Sequence, residues 1–174
     1  MTLDIIRLLL FPALMAFAAA SDLLTMTISN RITLILIAGF AIVAAFGGMS
    51  LNEVMSHIGA GAIVLAGAFF CFAMGWIGGG DAKLAAATAL WFGFGHLMDY
   101  LIYASIAGGA LTVLILQFRQ WPLPALIRSQ GWIQRLHDKG GDIPYGIALA
   151  AGALMIYPET EWIRAVDLGH FVVG

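Results

Sequence analysis

The chain has 174 residues, of which 61% are apolar and 10% charged, against about 25% charged in ordinary soluble domains. A soluble globule of this size would leave much of that apolar surface in water, and disorder requires the opposite composition. Eight Lys and Arg against ten Asp and Glu give a net charge of −2, which leaves no basic face for nucleic acid. The solvent that fits this composition is a lipid bilayer.

A spanning helix takes about 20 apolar residues. The chain therefore has room for about six spans in a single domain, 1–174, with no separate soluble unit. The expected class is all-α and polytopic. The first expected span is 3–20, and within it the apolar stretch Leu8–Ala20 is similar to a signal-peptide core. However, Asp4 precedes Arg7, and the small residues run straight into Ser21-Asp22, so it reads as a retained helix. Segments 32–48 and 58–77 follow. A short fourth segment, 84–98, carries His96 and ends at Asp99. The fifth spans 100–118, and a short sixth spans 143–157.

The connections differ in character. Residues 21–31 are polar, and 49–57 carry Glu53. Gly78-Gly79-Gly80-Asp81 reads as a tight turn, and the connection at Asp99 is barely a turn. Only 119–142 is long. It mixes Trp121, Leu126, Ile127 and Trp132 with Arg128 and Arg135, a pattern for a short amphipathic helix in the membrane interface. The tail from Pro158, with Trp162 and Phe171, is expected at the opposite interface. Trp76, Trp91 and the phenylalanines are expected to pack or to meet lipid. The lone Cys71 has no partner for a disulfide or a paired metal site. His57, His96, His137 and His170 fall in different segments, and no metal or other cofactor is expected.

The positive charges orient the chain. Arg31, Lys83, Arg119, Arg128, Arg135 and Lys139 make up six of the eight Lys and Arg. They follow spans one, three and five, and those connections share one side if the spans alternate. The positive-inside rule makes that side cytoplasmic and puts both termini outside.

Two acids stand out on the cytoplasmic side. Asp22 follows Ala18-Ala19-Ala20, at the predicted end of span one. Asp81 follows three glycines between spans three and four. Both fall at the same depth, and ionisable groups near membrane depth are costly and usually functional. Two carboxyl groups in reach of one another share a proton. One then acts as a base on water while the other polarises a carbonyl. Asp81 opens a helix and Asp22 closes one, so the helix dipole assigns Asp81 as base and Asp22 as acid. Each has a purely structural alternative. Asp81 suits a helix N-cap, and Asp22 suits an interfacial acid at a helix end.

At these residues the sequence resembles the type IV prepilin peptidase family, bacterial intramembrane aspartic proteases with a GxGD motif. It is most similar to the short branch serving Flp, or tight-adherence, pili. The family's second motif is matched by Gly78-Gly79-Gly80-Asp81-Ala82-Lys83-Leu84. The first aspartate is matched by Asp22, followed by Ile28-Ser29-Asn30-Arg31, with Ser29 where proline is usual. Ile143-Pro144-Tyr145-Gly146 is also similar to the family's pattern.

The resemblance implies an aspartic endopeptidase that removes the short basic leader of prepilins and pseudopilins at the cytoplasmic edge of the bacterial inner membrane. Asp22 and Asp81 would be catalytic. Its partners would be those substrates, membrane lipid and other pilus-assembly proteins, with no nucleic acid. The chain has no CxxC pair and no room for the extra cytoplasmic region of longer members, so no methyltransferase domain is expected.

Gly78, Gly79, Gly80, Lys83, Asn30, Pro144 and Tyr145 are expected to support the site. Lys83 would tune the aspartates or snorkel to the interface. Asn30 would hold the backbone of the Asp22 loop. Pro144 fits the first turn of span six. Tyr145 would line a substrate groove or sit in the aromatic belt. Two other classes compete, a small proton-coupled transporter and a non-catalytic pilus-assembly scaffold. A transporter would place its acids near mid-bilayer on broken helices, whereas these lie at one edge.

Overall fold

The computed structural model describes residues 2–124, 126 and 129–166. The expectations for Ile127, Arg128, His170 and Phe171 lie outside the described residues. All regular structure among the described residues is helical. Three helices are long and apolar enough to cross a membrane: Leu3–Thr25, Leu51–Ala73 and Gly79–Phe118. Asn30–Phe46 is a shorter apolar helix.

The first crossing is built in three pieces: α1 (Thr2–Ile5), a π-helical turn (Ile6–Leu10) and α2 (Phe11–Thr25). Pro12 explains the π turn. It lacks an N–H, and its ring crowds the carbonyl four residues back. Widening the preceding turn accommodates both. The helix then runs past Ala20 to Thr25, where Met26 at φ 55° and ψ 30° ends it. Asp22 therefore lies within the last turn of the helix, three residues before its end, and not after it.

Helix α3 (Asn30–Phe46) starts at Ser29, whose side chain accepts from Arg31 N at 3.3 Å. The serine that departs from the usual proline is thus an N-cap. Helix α4 (Leu51–Ala73) begins well before the expected 58. Ser50 accepts from Glu53 N at 3.3 Å, and Glu53 accepts from Ser50 N at 2.7 Å. This reciprocal capping box turns most of the expected 49–57 connection into helix. Hydropathy alone cannot register such a cap.

Helix α5 (Gly79–Phe118) joins the fourth and fifth expected segments. Straight, its 40 residues would reach about 60 Å, twice the hydrocarbon thickness. It is not straight. Gly93 has φ 58° and ψ −174°, a conformation open chiefly to glycine. Beyond it the chain doubles back. The Phe92 and Tyr100 rings lie 5.2 Å apart, whereas a straight helix would hold these positions about 12 Å apart along its axis. Asp81 and Ala85 on the first arm share a cavity with Ala104, Gly108 and Thr112 on the second. The reversal thus falls at Gly93, not at Asp99.

Breaking a helix inside an apolar core leaves carbonyls that need donors. His57 Nδ1 lies 2.8 Å from Leu90 O, and Trp162 Nε1 donates to Trp91 O at 2.6 Å. Trp91 in turn donates to Leu36 O at 2.9 Å. The aromatic cluster around the break includes Phe11, Phe40, Trp91, Phe92, Tyr157 and Trp162. Trp162 is buried at its centre. It is a core residue, not the interfacial anchor expected of the tail.

Among the described residues the long connection contains one helix, α6 (Gly131–His137), followed by α7 (Tyr145–Ile156), a 3-10 turn (Tyr157–Glu159) and α8 (Glu161–Arg164). Pro144 is the N-cap of α7 and not part of its first turn. Helix α7 runs antiparallel to α2. Its start meets Asp22, and at its far end Tyr157 Oη donates to Arg7 O at 2.5 Å. Three basic groups of the connections lie at the Asp22 end of the bundle. Lys83 reaches Asn30, Arg135 reaches the carbonyl of Leu24, and the buried Arg119 donates to the carbonyls of Leu136, Gly141 and Asp142.

Gly93→Ala tests the reversal. The added Cβ would lie 2.9 Å from His57 Nε2 and in a strained φ. A cost of about 1–3 kcal/mol is expected, read as a lowered midpoint of thermal unfolding in detergent.

Candidate active site

The two aspartates are reached from opposite directions. Asp22 is carried on the last turn of α2 and is 5% exposed. Its Oδ2 accepts from Gly146 N at 2.7 Å. Gly146 stands in the first turn of α7, whose N-cap is Pro144. Proline has no capping side chain, so the carboxyl of α2 caps α7 from a distance of 124 residues in sequence. An anionic or acceptor group is favoured at such a helix start.

Glycine is required at 146 for a steric reason. A Cβ there would lie 2.7 Å from Asp22 Oδ2 and 2.7 Å from Ile28 Cδ1. The Asp22 loop is held closely on the other side as well. Ile28 lies against Gly80, where a Cβ would meet Ile28 Cβ at 3.2 Å. The loop after α2 is therefore clamped between the starts of α5 and α7.

Asp81 stands in the first turn of α5, third after the N-cap Gly78. It is not the cap itself, and Gly79 and Gly80 belong to the helix rather than to a turn. The Gly78 backbone N–H bonds its carboxylate, and Asp22 and Asp142 are the acids whose charges reach it. Asp81 is half-buried and lines a cavity of about 510 Å³. The opposite wall is formed by Ala104, Ser105, Gly108 and Thr112 of α5 and Tyr145 of α7. These are mostly small side chains, which leave width for an extended chain or a helix end. Tyr145 Oη and Thr112 Oγ1 are 3.2 Å apart, so one polar pair faces Asp81 across the cavity.

The expected supporting residues divide. Gly78, Gly79 and Gly80 bring Asp81 to the start of its helix. Tyr145 lines the cavity, which favours the groove reading over the aromatic belt. Lys83 Nζ donates to Asn30 Oδ1 at 3.0 Å. That pair ties the start of α5 to the start of α3; it neither binds Asp22 loop backbone through Asn30 nor leaves Lys83 alone at the interface. Thr112, Gly146 and Arg119 were not among the expected site residues. Arg119 fixes the carbonyls of Gly141 and Asp142 and so sets the approach to Pro144 and Tyr145. Thr112 is a lone hydroxyl in an apolar run, which was the available signal. Among the described residues no group of three or more His, Cys, Asp or Glu is arranged to hold a metal.

Comparison with known protein families assigns the chain to one of them. The model of the type IV leader peptidase family matches residues 9–113. The chain belongs to that family, and the matched stretch contains both Asp22 and Asp81. The apolar helices and the family together make it a multi-pass membrane protein of the peptidase class. Neither curated proteins nor solved structures give a match.

Gly146→Ala is expected to push the Asp22 carboxyl out of position. Loss of the buried bond from Gly146 N to Asp22 Oδ2 is expected to cost about 1–3 kcal/mol, read as a lowered midpoint of thermal unfolding in detergent.

Proposed function

We propose that the protein is an aspartic endopeptidase that removes the short basic leader of Flp-type prepilins and pseudopilins, with Asp22 and Asp81 as its catalytic pair. The observation that carries this reading is the meeting of the Asp22 and Asp81 segments at one end of the bundle, beside a cavity. Asp81 lines that cavity, and of the two acids whose charges reach it, Asp22 and Asp142, Asp22 acts the more strongly.

In this reading the prepilin lays its backbone along the wall of Ala104, Ser105 and Gly108. Its cut site comes to the aspartate end, where the basic connections gather. One carboxylate takes a proton from water as the oxygen attacks the scissile carbonyl carbon. The other carboxyl donates a proton to the carbonyl oxygen. Collapse of the tetrahedral intermediate breaks the C–N bond, and the departing amine takes a proton from the pair. No covalent enzyme intermediate forms. Tyr145 and Thr112 are placed to hydrogen-bond the substrate backbone opposite Asp81.

The same reading makes the aspartate end cytoplasmic, by the positive-inside rule, with the protein in the bacterial inner membrane. With the arms of α5 as two crossings and α3 and α7 as short ones, it has six spans and both termini outside. It cleaves without methylating the new N-terminus, and it works beside other pilus-assembly proteins.

Co-expression with a Flp-type prepilin tests this. Wild type is expected to release the leader on a gel. Asp22→Asn and Asp81→Asn are each expected to lose about 10²–10⁴-fold in rate while still inserting in the membrane. Cleavage that survives either change contradicts the mechanism.

A further inference from the structure

A second cavity, of about 320 Å³, lies at the end of the bundle away from the aspartates. Its polar wall brings together five groups from four separate stretches of chain: Arg7, Glu53, His57, His96 and Glu161. Nothing in the peptidase mechanism uses them.

The Arg7 guanidinium is 12% exposed, and its contact with Asp4 is long, 3.8 Å from Nη1 to Oδ1. Nη2 packs over Gly47, where a Cβ would come within 2.7 Å of it. Arg7 Nε and His96 Nδ1 are buried and have no hydrogen-bond partner among the described residues. A buried guanidinium nitrogen in that state is costly unless an acceptor reaches it. Arg7 and His96 therefore line one part of this wall with bonding capacity to spare.

The acids argue that the occupant is not a simple anion. Glu53 and Glu161 line the same cavity, and both act electrostatically on His57. The formally charged side chains of this wall are one arginine and two glutamates. A lone phosphate would meet repulsion there, and a lone cation would leave Arg7 uncompensated. A zwitterion satisfies both. Glu53 already accepts from Ser50 N at 2.7 Å, which makes Glu161 the freer carboxylate. The surroundings fit a lipid source. Phe46 and Leu51, beside the cavity-lining Gly47 and Met49, are 75% and 76% exposed, as acyl-chain contacts would be.

We propose that this cavity binds a phosphoethanolamine headgroup, with its phosphate against Arg7 and His96 and its ammonium against Glu161. The group would bridge the π turn of the first crossing, the reversal of α5 and the start of α8. It would thereby hold the end of the bundle away from the aspartates.

The test is thermal unfolding of the delipidated, detergent-solubilised full chain. The additions are phosphatidylethanolamine, phosphatidylglycerol, soluble glycerophosphoethanolamine or inorganic phosphate. Phosphatidylethanolamine is expected to raise Tm by about 5–10 °C at saturation and phosphatidylglycerol by clearly less. Both Arg7→Gln and Glu161→Gln are expected to abolish that difference. An equal shift from glycerophosphoethanolamine supports the site and identifies a soluble source. An equal shift from phosphatidylglycerol or from inorganic phosphate overturns the proposal in favour of an anion site. A phosphatidylethanolamine preference unchanged by Glu161→Gln also overturns it. Glu161 is itself exposed, at the first position of a four-residue helix, and its variant decides the matter even if Arg7→Gln does not fold.

Discussion

The contact on which the site depends is the hydrogen bond from Gly146 N to Asp22 Oδ2, 2.7 Å long and buried. A carboxyl taken out of water is costly unless donors meet it, and a charge-assisted bond of this kind is worth about 1.5–3 kcal/mol. The bond also supplies an acceptor to a helix start that Pro144 cannot cap. One interaction thus meets two needs, and it fixes α2 and α7 side by side. At the other end of the same pair, Tyr157 stacks on Phe11 with ring centroids 4.4 Å apart and bonds the Arg7 carbonyl. The Asp22 carboxyl is therefore held by a rigid two-helix frame.

The second aspartate arrives by a different route. Gly93 folds α5 into two arms, and the first arm ends at Asp81 while the second supplies the wall opposite. The reversal has its own cost in broken backbone hydrogen bonds. His57 and Trp162 offset that cost by meeting the carbonyls of Leu90 and Trp91. The aromatic cluster at one end is thus the condition for a groove of small residues at the other. Bulk is concentrated where the chain turns, and space is left beside Asp81.

Part of this was legible in the sequence. Composition gave the membrane, and the charges gave the end at which Asp22 and Asp81 gather. The glycines before Asp81 and the order of the motifs pointed to the family that the comparison supports. What stayed hidden has physical reasons. Hydropathy averages over a window, so it missed the Ser50–Glu53 cap and placed the reversal at the charged Asp99 rather than at Gly93. The Asp22–Gly146 bond joins residues with no periodic relation. Trp162 looks like any interfacial tryptophan until its partner, a carbonyl freed by a break 70 residues earlier, is known. His57 and His96 sit on separate segments, and only the doubling back of α5 brings them to one cavity.

The central claim is that Asp22 and Asp81 act as one unit. A double-variant cycle on single-turnover cleavage of a purified prepilin measures this directly. Groups that act as a unit are strongly non-additive. Asp22→Asn with Asp81→Asn is therefore predicted to cleave no more slowly than the slower single variant. A double variant slower by the product of the two single losses would contradict a shared catalytic step.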